Sequence, residues 1–123
     1  MVVDGLGAAS TYKDEEATDR LFHALADATR RDIVGLAMTG EHSVSSLARR
    51  YPMSFAAVQK HVSVLERAGL VLKERRGREQ LVRTDVRTLR RAARLLEQLE
   101  VVWRDRLDRF GEVLAEPTRG DTP

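Results

Sequence analysis

Phe55, Ala56, Gln59, Lys60 and Ser63 are spaced so that a helix would show them on one side, with Val58, Val62 and Leu65 on the other. The chemistry they offer is recognition rather than reaction. The Gln59 amide can donate and accept at once, as an adenine edge requires, and the Lys60 ammonium suits guanine or a phosphate. Phe55 invites contact with a thymine methyl, and Ala56 and Ser63 add a small side chain and a hydroxyl. No acid interrupts this face until Glu66. A helix of this kind is suited to a negatively charged surface bearing hydrogen-bonding edges.

The elements that must hold this face can be read from capping and turn residues. Ser54 is a good N-cap for a helix over residues 54–68, and Gly69 stands where a C′ glycine ends it. Before it, Ser43 caps a short third helix and Pro52 lies in the turn between the two. After Gly69 the pattern VLKERRGREQLVRT predicts strands at about 71–75 and 80–84 around a turn at Gly77. A first helix is expected over about 15–25, with Leu21, Phe22 and Leu25 apolar. A second follows the Asp27–Thr29 cap, carries Ile33, Val34, Leu36 and Ala37, and ends at Gly40. Helix, turn, helix and basic hairpin make a mostly α fold with a small β-hairpin wing, a winged helix-turn-helix.

Further cations surround this motif. Arg75, Arg76 and Arg78 flank Gly77 and would reach the DNA backbone or minor groove from the wing, or serve as a charged edge against aggregation. Arg49 and Arg50 close the third helix, near a phosphate backbone or as partners of the helix dipole. Arg30 and Arg31 could meet phosphate or pair with Asp27 or Asp32. His61 falls on the border of the buried face, where a lone histidine is expected as a satisfied flank residue.

With 123 residues the chain has room for one modest core. Its net charge of +2 conceals an asymmetry. Residues 1–42 carry four basic and eight acidic side chains, residues 43–85 nine and four, residues 86–123 eight and seven. The positive charge thus gathers on the helix-turn-helix and wing. No apolar run approaches the roughly 18 residues of a membrane span, and the start lacks a signal-peptide pattern, so a cytoplasmic protein without membrane contact is expected. There is no cysteine, no Gly-rich phosphate loop and no GxSxG, so no enzyme is expected.

Residues 86–114 predict a long last helix. Two seven-residue series run along it: Leu89, Leu96, Trp103, Phe110, and Ala93, Glu100, Leu107, Leu114. Leu95, Leu99 and Val102 widen the seam, and Glu100 interrupts it as a flank residue or a register-setting polar group. So wide a seam calls for a second copy of the chain. The expected interface is Leu21 and Phe22 of the first helix with Leu96, Leu99, Trp103, Leu107 and Phe110 of the last. Residues 1–14 are expected as a disordered arm, 15–115 as the folded domain and 116–123 as a disordered tail.

LADATRRDIVGLA (residues 25–37), the stretch SVSSLARRYPMSFAAVQKHVSVLERAGLV (43–71) and the RRGRE wing resemble the ArsR/SmtB family of bacterial transcriptional repressors. The match runs from about Thr18 to Leu114, and AVQKHVSVLERAGLV is its most specific part. The resemblance implies a homodimer joined through its first and last helices, bound to a pseudo-palindromic double-stranded DNA operator. In many members it also implies metal sensing, through cysteine pairs in the third helix or Asp, His and Glu sets in the last. Here the third helix reads SVSSLARRYP, the last helix has no histidine, and His23, His42 and His61 share no ligand spacing. No metal or other cofactor is therefore expected, and the inducer or modulating protein is left open. Ser54, Phe55, Ala56, Gln59, Lys60, His61 and Ser63, with Arg49, Arg50, Arg75, Arg76 and Arg78, form the expected DNA-binding set. The rival reading is a winged helix that binds an acidic protein partner.

Overall fold

The structure is a computed structural model that describes the backbone of residues 2–120 and the side chains of residues 14–115. Its elements run α1 (Val2–Leu25), α2 (Ala28–Thr39), β1 (His42–Ser43), α3 (Val44–Ala48), α4 (Phe55–Arg67), β2 (Val71–Arg76), β3 (Glu79–Thr84) and α5 (Val86–Gly120). The chain forms two compact units, residues 1–89 and residues 90–123.

In the first unit the caps fix where helices start. Asp27 accepts from the Arg30 amide at 3.0 Å and opens α2. Ser43 and Ser46 exchange side-chain and backbone hydrogen bonds in a capping box that opens α3. Ser54 Oγ accepts from the Ala57 amide at 3.1 Å and opens α4. At the far end of α4, Gly69 takes φ +78°, open to glycine at little cost. The Leu70 amide then reaches Leu65 O and the Gly69 amide reaches Glu66 O, each at 3.0 Å. This paired closure sends the chain straight into β2.

The sheet order is β1-β3-β2, antiparallel throughout. Pairing runs from Val71↔Thr84 to Arg76↔Glu79 and leaves Gly77, at φ +63°, in the hairpin turn. The third strand, β1, was not expected. Two residues, His42 and Ser43, are too few to show alternation, yet they pair with Val82 and Leu81. The core of this unit draws on every helix it contains: Leu21 and Ala24 from α1, Ile33 and Val34 from α2, Leu47 from α3, and Val58, Val62 and Leu65 from α4. Leu70, Val71 and Val82 complete it.

Two expectations need correction. Leu21, assigned above to a dimer interface, is wholly buried among its own chain's core residues. Phe22, one helical step round, is half-buried and keeps an open face. The helices also outrun their expected limits: α1 begins at Val2 rather than near residue 15, and α5 continues to Gly120 rather than ending near 114. Once a helix is nucleated each further residue adds a hydrogen bond, so it needs no apolar periodicity to extend. Met1 and residues 121–123, parts of the expected arm and tail, lie outside the described residues.

The second unit is a single helical stretch. Leu96, Leu99, Val102, Trp103, Leu107, Phe110 and Leu114 are each half or more exposed, Trp103 at 58%. Glu100 pairs with Arg104 one turn on.

Candidate nucleic-acid interface

The burial of α4 divides cleanly. Val58, Val62 and Leu65 have no exposed surface, whereas Phe55, Ala56, Gln59 and Lys60 are exposed. Phe55 is 49% exposed. Ser63 is half-buried at the margin, and Ser54 commits its oxygen to the cap. The one acid on the helix, Glu66, is engaged by Lys73 of β2 at 3.4 Å. What α4 presents outward is therefore an amide, an ammonium, an aromatic ring and small groups, with no competing free carboxylate.

The helix-turn-helix is tied to the body by groups that sequence patterning did not reveal. Tyr51, in the turn between α3 and α4, donates its hydroxyl to the Asp32 carboxylate of α2. Partial burial and that carboxylate raise the phenol pKa far above its ordinary value, so the Tyr51–Asp32 bond keeps its proton at any physiological pH.

Arg30 ties the other side. Its Nε donates to Ala24 O at 2.8 Å, its Nη2 to His23 O at 3.0 Å, and its Nη1 lies 3.2 Å from His61 Nδ1. A guanidinium can only donate, so His61 must accept at Nδ1 and carry its proton on Nε2. One planar fork thus joins the end of α1 to the middle of α4. Arg31 caps the same helix end by donating to Leu25 O at 2.7 Å. Both arginines are spent on α1 carbonyls, a structural role. His61 is held by Arg30 through one ring nitrogen and remains half-buried.

On the wing the three arginines part company. Arg76 reaches Glu41 at 3.0 Å and Glu74 at 3.7 Å, and Arg83 reaches the same two acids at 3.7 and 3.5 Å. The bond to Glu41 holds the Arg76 guanidinium even more firmly protonated than usual, but it also neutralises its field. Arg75 and Arg78 are exposed and form no ion pair among the described residues. Arg49 and Arg50 are likewise exposed at the end of α3.

Among the described residues no three His, Cys, Asp or Glu side chains gather in a geometry that could hold a metal ion. His23 lies on α1, His42 in β1 and His61 against Arg30. No described helix is long and apolar enough to cross a membrane.

Comparison with known proteins fits this geometry. The family described as bacterial regulatory protein, arsR family, matches over residues 27–73, from the α2 cap through α4 into β2. The HTH-type transcriptional regulator Rv2034 of Mycobacterium tuberculosis is 35% identical over 105 residues, covering 85% of this chain and 92% of that protein. The chain belongs to the ArsR family. Like its relatives it is a transcriptional regulator with a winged helix-turn-helix DNA-binding domain, and its cysteine-free sequence sets it among members without thiol ligands. Among solved structures, an ArsR-like transcriptional regulator from Rhodococcus superposes with a TM-score of 0.71 at 34% identity, over 82% of this chain and 95% of that one. A homodimeric winged helix-turn-helix DNA-binding domain from Mycobacterium bovis superposes at 0.58 with 26% identity, over 76% and 84%.

Proposed function

We propose that this ArsR-family chain acts as a homodimeric repressor on a pseudo-palindromic operator. The observation that carries the reading is the divided face of α4. Val58, Val62 and Leu65 hold the helix to the core, while Gln59, Lys60, Phe55 and Ala56 stand free of any acid. In the major groove Gln59 would read adenine, Lys60 guanine or a phosphate, and Phe55 a thymine methyl. Arg49 and Arg50 would meet the backbone beside the helix, and Arg75 and Arg78 the flanking DNA.

Dimerisation rests on the apolar stripe of α5 (Leu96, Leu99, Trp103, Leu107 and Phe110), which is exposed in the single chain. So large an apolar patch calls for a partner surface, and the Mycobacterium bovis neighbour is itself homodimeric. Two copies would set their α4 helices about one DNA turn apart, roughly 34 Å. Repression would follow from occupying a promoter against polymerase, with the chain's own promoter as the first place to look.

Fluorescence anisotropy on the intergenic DNA upstream of the gene, in a salt series against random DNA, tests this. The expected result is a salt-dependent preference for one site with one dimer bound. Equal binding to both DNAs at every salt concentration would remove sequence-specific repression.

A further inference from the structure

A cavity of about 160 Å³ opens between α1 and α4, lined by Arg20, His23, Val64, Arg67 and Ala68. Its floor is apolar, the Val64 and Ala68 methyls. Its rim is two guanidiniums and an imidazole. Neither Arg20 nor Arg67 makes an ion pair or side-chain hydrogen bond among the described residues, and no carboxylate lines the opening. Elsewhere in this unit Lys73, Arg76, Arg83 and Arg87 all have acidic partners. Arg49, Arg50, Arg75 and Arg78 are unpaired as well, so what sets Arg20 and Arg67 apart is that they line one small, partly apolar hollow together.

We infer that this cavity is a binding site for a small organic anion, a carboxylate on a compact apolar body, that regulates the protein. A carboxylate matches the bidentate fork of either arginine, and the apolar body fits the Val64 and Ala68 floor. The cavity is too small for a peptide or a folded partner. Its walls are already held together, because Arg30 bonds His23 O on one side and His61 of α4 on the other.

The regulatory consequence rests on the DNA-binding reading above. Arg67 follows Lys60 by seven residues, two turns along the same side of α4. An anion that neutralises Arg67 and draws it toward Arg20 removes positive charge from the face that meets DNA. Binding of the anion and of DNA should then oppose each other, by at least about fivefold in DNA Kd.

The test titrates benzoate into the full-length protein and follows backbone amides by NMR, with inorganic phosphate as a probe lacking the apolar body. Saturable shifts at Arg20, His23, Val64, Arg67 and Ala68 are expected with benzoate, weaker ones with phosphate, and none that saturate in an Arg20→Ala/Arg67→Ala double variant. Both side chains are on the surface, so the variant should fold, which circular dichroism checks. In parallel, benzoate should raise the DNA Kd of the wild type and not of the variant. Absence of saturable shifts, shifts centred elsewhere, persistence in the variant, or phosphate binding as well as benzoate would each overturn the site. Saturable binding that leaves DNA affinity unchanged would overturn its regulatory role. If benzoate does not bind while the variant loses DNA affinity and salt dependence, the arginines are phosphate contacts and the proposal is wrong. A wild type that binds no DNA would count against the repressor reading alone, since the NMR titration reads the cavity without DNA.

Discussion

Arg76 Nη1 lies 3.0 Å from Glu41 Oε1, so the wing's central arginine is held by an acid from the loop after α2. Glu41 and Glu74 together hold Arg76 and Arg83, two acids against two cations. Glu41→Gln should loosen that balance and free wing charge for DNA. The slope of log K against log salt is expected to steepen by up to about 1.8 per dimer, one phosphate per protomer. Arg76→Ala should leave the slope near wild type, whereas Arg78→Ala or Arg75→Ala should flatten it by about 1.8. An unchanged slope in Glu41→Gln would show that the acid does not restrain the wing. Thermal stability should barely move in Glu41→Gln, because the pair is exposed.

Gln59→Ala and Lys60→Ala remove groups aimed at base edges. Each should weaken operator binding by roughly 1–3 kcal/mol and relax preference at particular base pairs. Random DNA should lose little affinity with Gln59→Ala. Binding assays on single-base operator variants would show this, and a uniform loss across all variants would make Gln59 a backbone contact.

Trp103 is 58% exposed in the single chain, in the middle of the α5 stripe. Trp103→Ala should therefore spare the fold of residues 1–89 and strike the dimer. Truncating a Trp buried in an interface costs about 3–5 kcal/mol. Analytical ultracentrifugation should show dissociation, with DNA affinity falling alongside. A dimer as stable as wild type would take Trp103 out of the interface.

Arg30 supplies three donors to three acceptors on α1 and α4. Arg30→Ala should lower stability by roughly 1–3 kcal/mol, since two α1 carbonyls and the His61 nitrogen lose their partner. Arg30→Lys should recover only part of this, because one ammonium cannot span all three positions. Denaturant melts of the three proteins decide it. Full rescue by lysine would mean that charge, and not the fork, is what matters.

The seam of α5, the caps Asp27, Ser43 and Ser54, and the divided face of α4 were all legible in the sequence. Each is local: a period, or a residue type at a chain position where its side chain reaches a nearby amide. The Arg30–His61 bridge spans 31 residues and the Arg76–Glu41 pair 35, and no periodicity marks such partners. Three wing arginines look alike in sequence and become different only once the fold brings Glu41 beside one of them. Leu21 misled for a related reason. An apolar residue on a helix flank is the same letter whether its own core or a second copy covers it.

Asp27 caps α2, and its carboxyl is held below its ordinary pKa, first by the hydrogen bond from the Arg30 amide. A depressed carboxylate contributes stability that is present above its unfolded pKa and lost as pH falls through the folded one. Stability should thus decline on acidification below about pH 4 in the wild type. Asp27→Asn keeps the cap acceptor and should remove this part of the decline, as melts from pH 5 to 3 would show. An identical decline in the variant would assign the acid sensitivity to other carboxyls.

The division of α4 has one more consequence. The residues that keep the helix in place and those turned outward are disjoint, so exchanging Ala56, Gln59 or Lys60 leaves Val58, Val62 and Leu65 packed as before. Operator preference can then drift by single substitutions with almost no penalty in folding. Duplicated genes of this kind could part company in the promoters they serve while their cores stayed nearly unchanged.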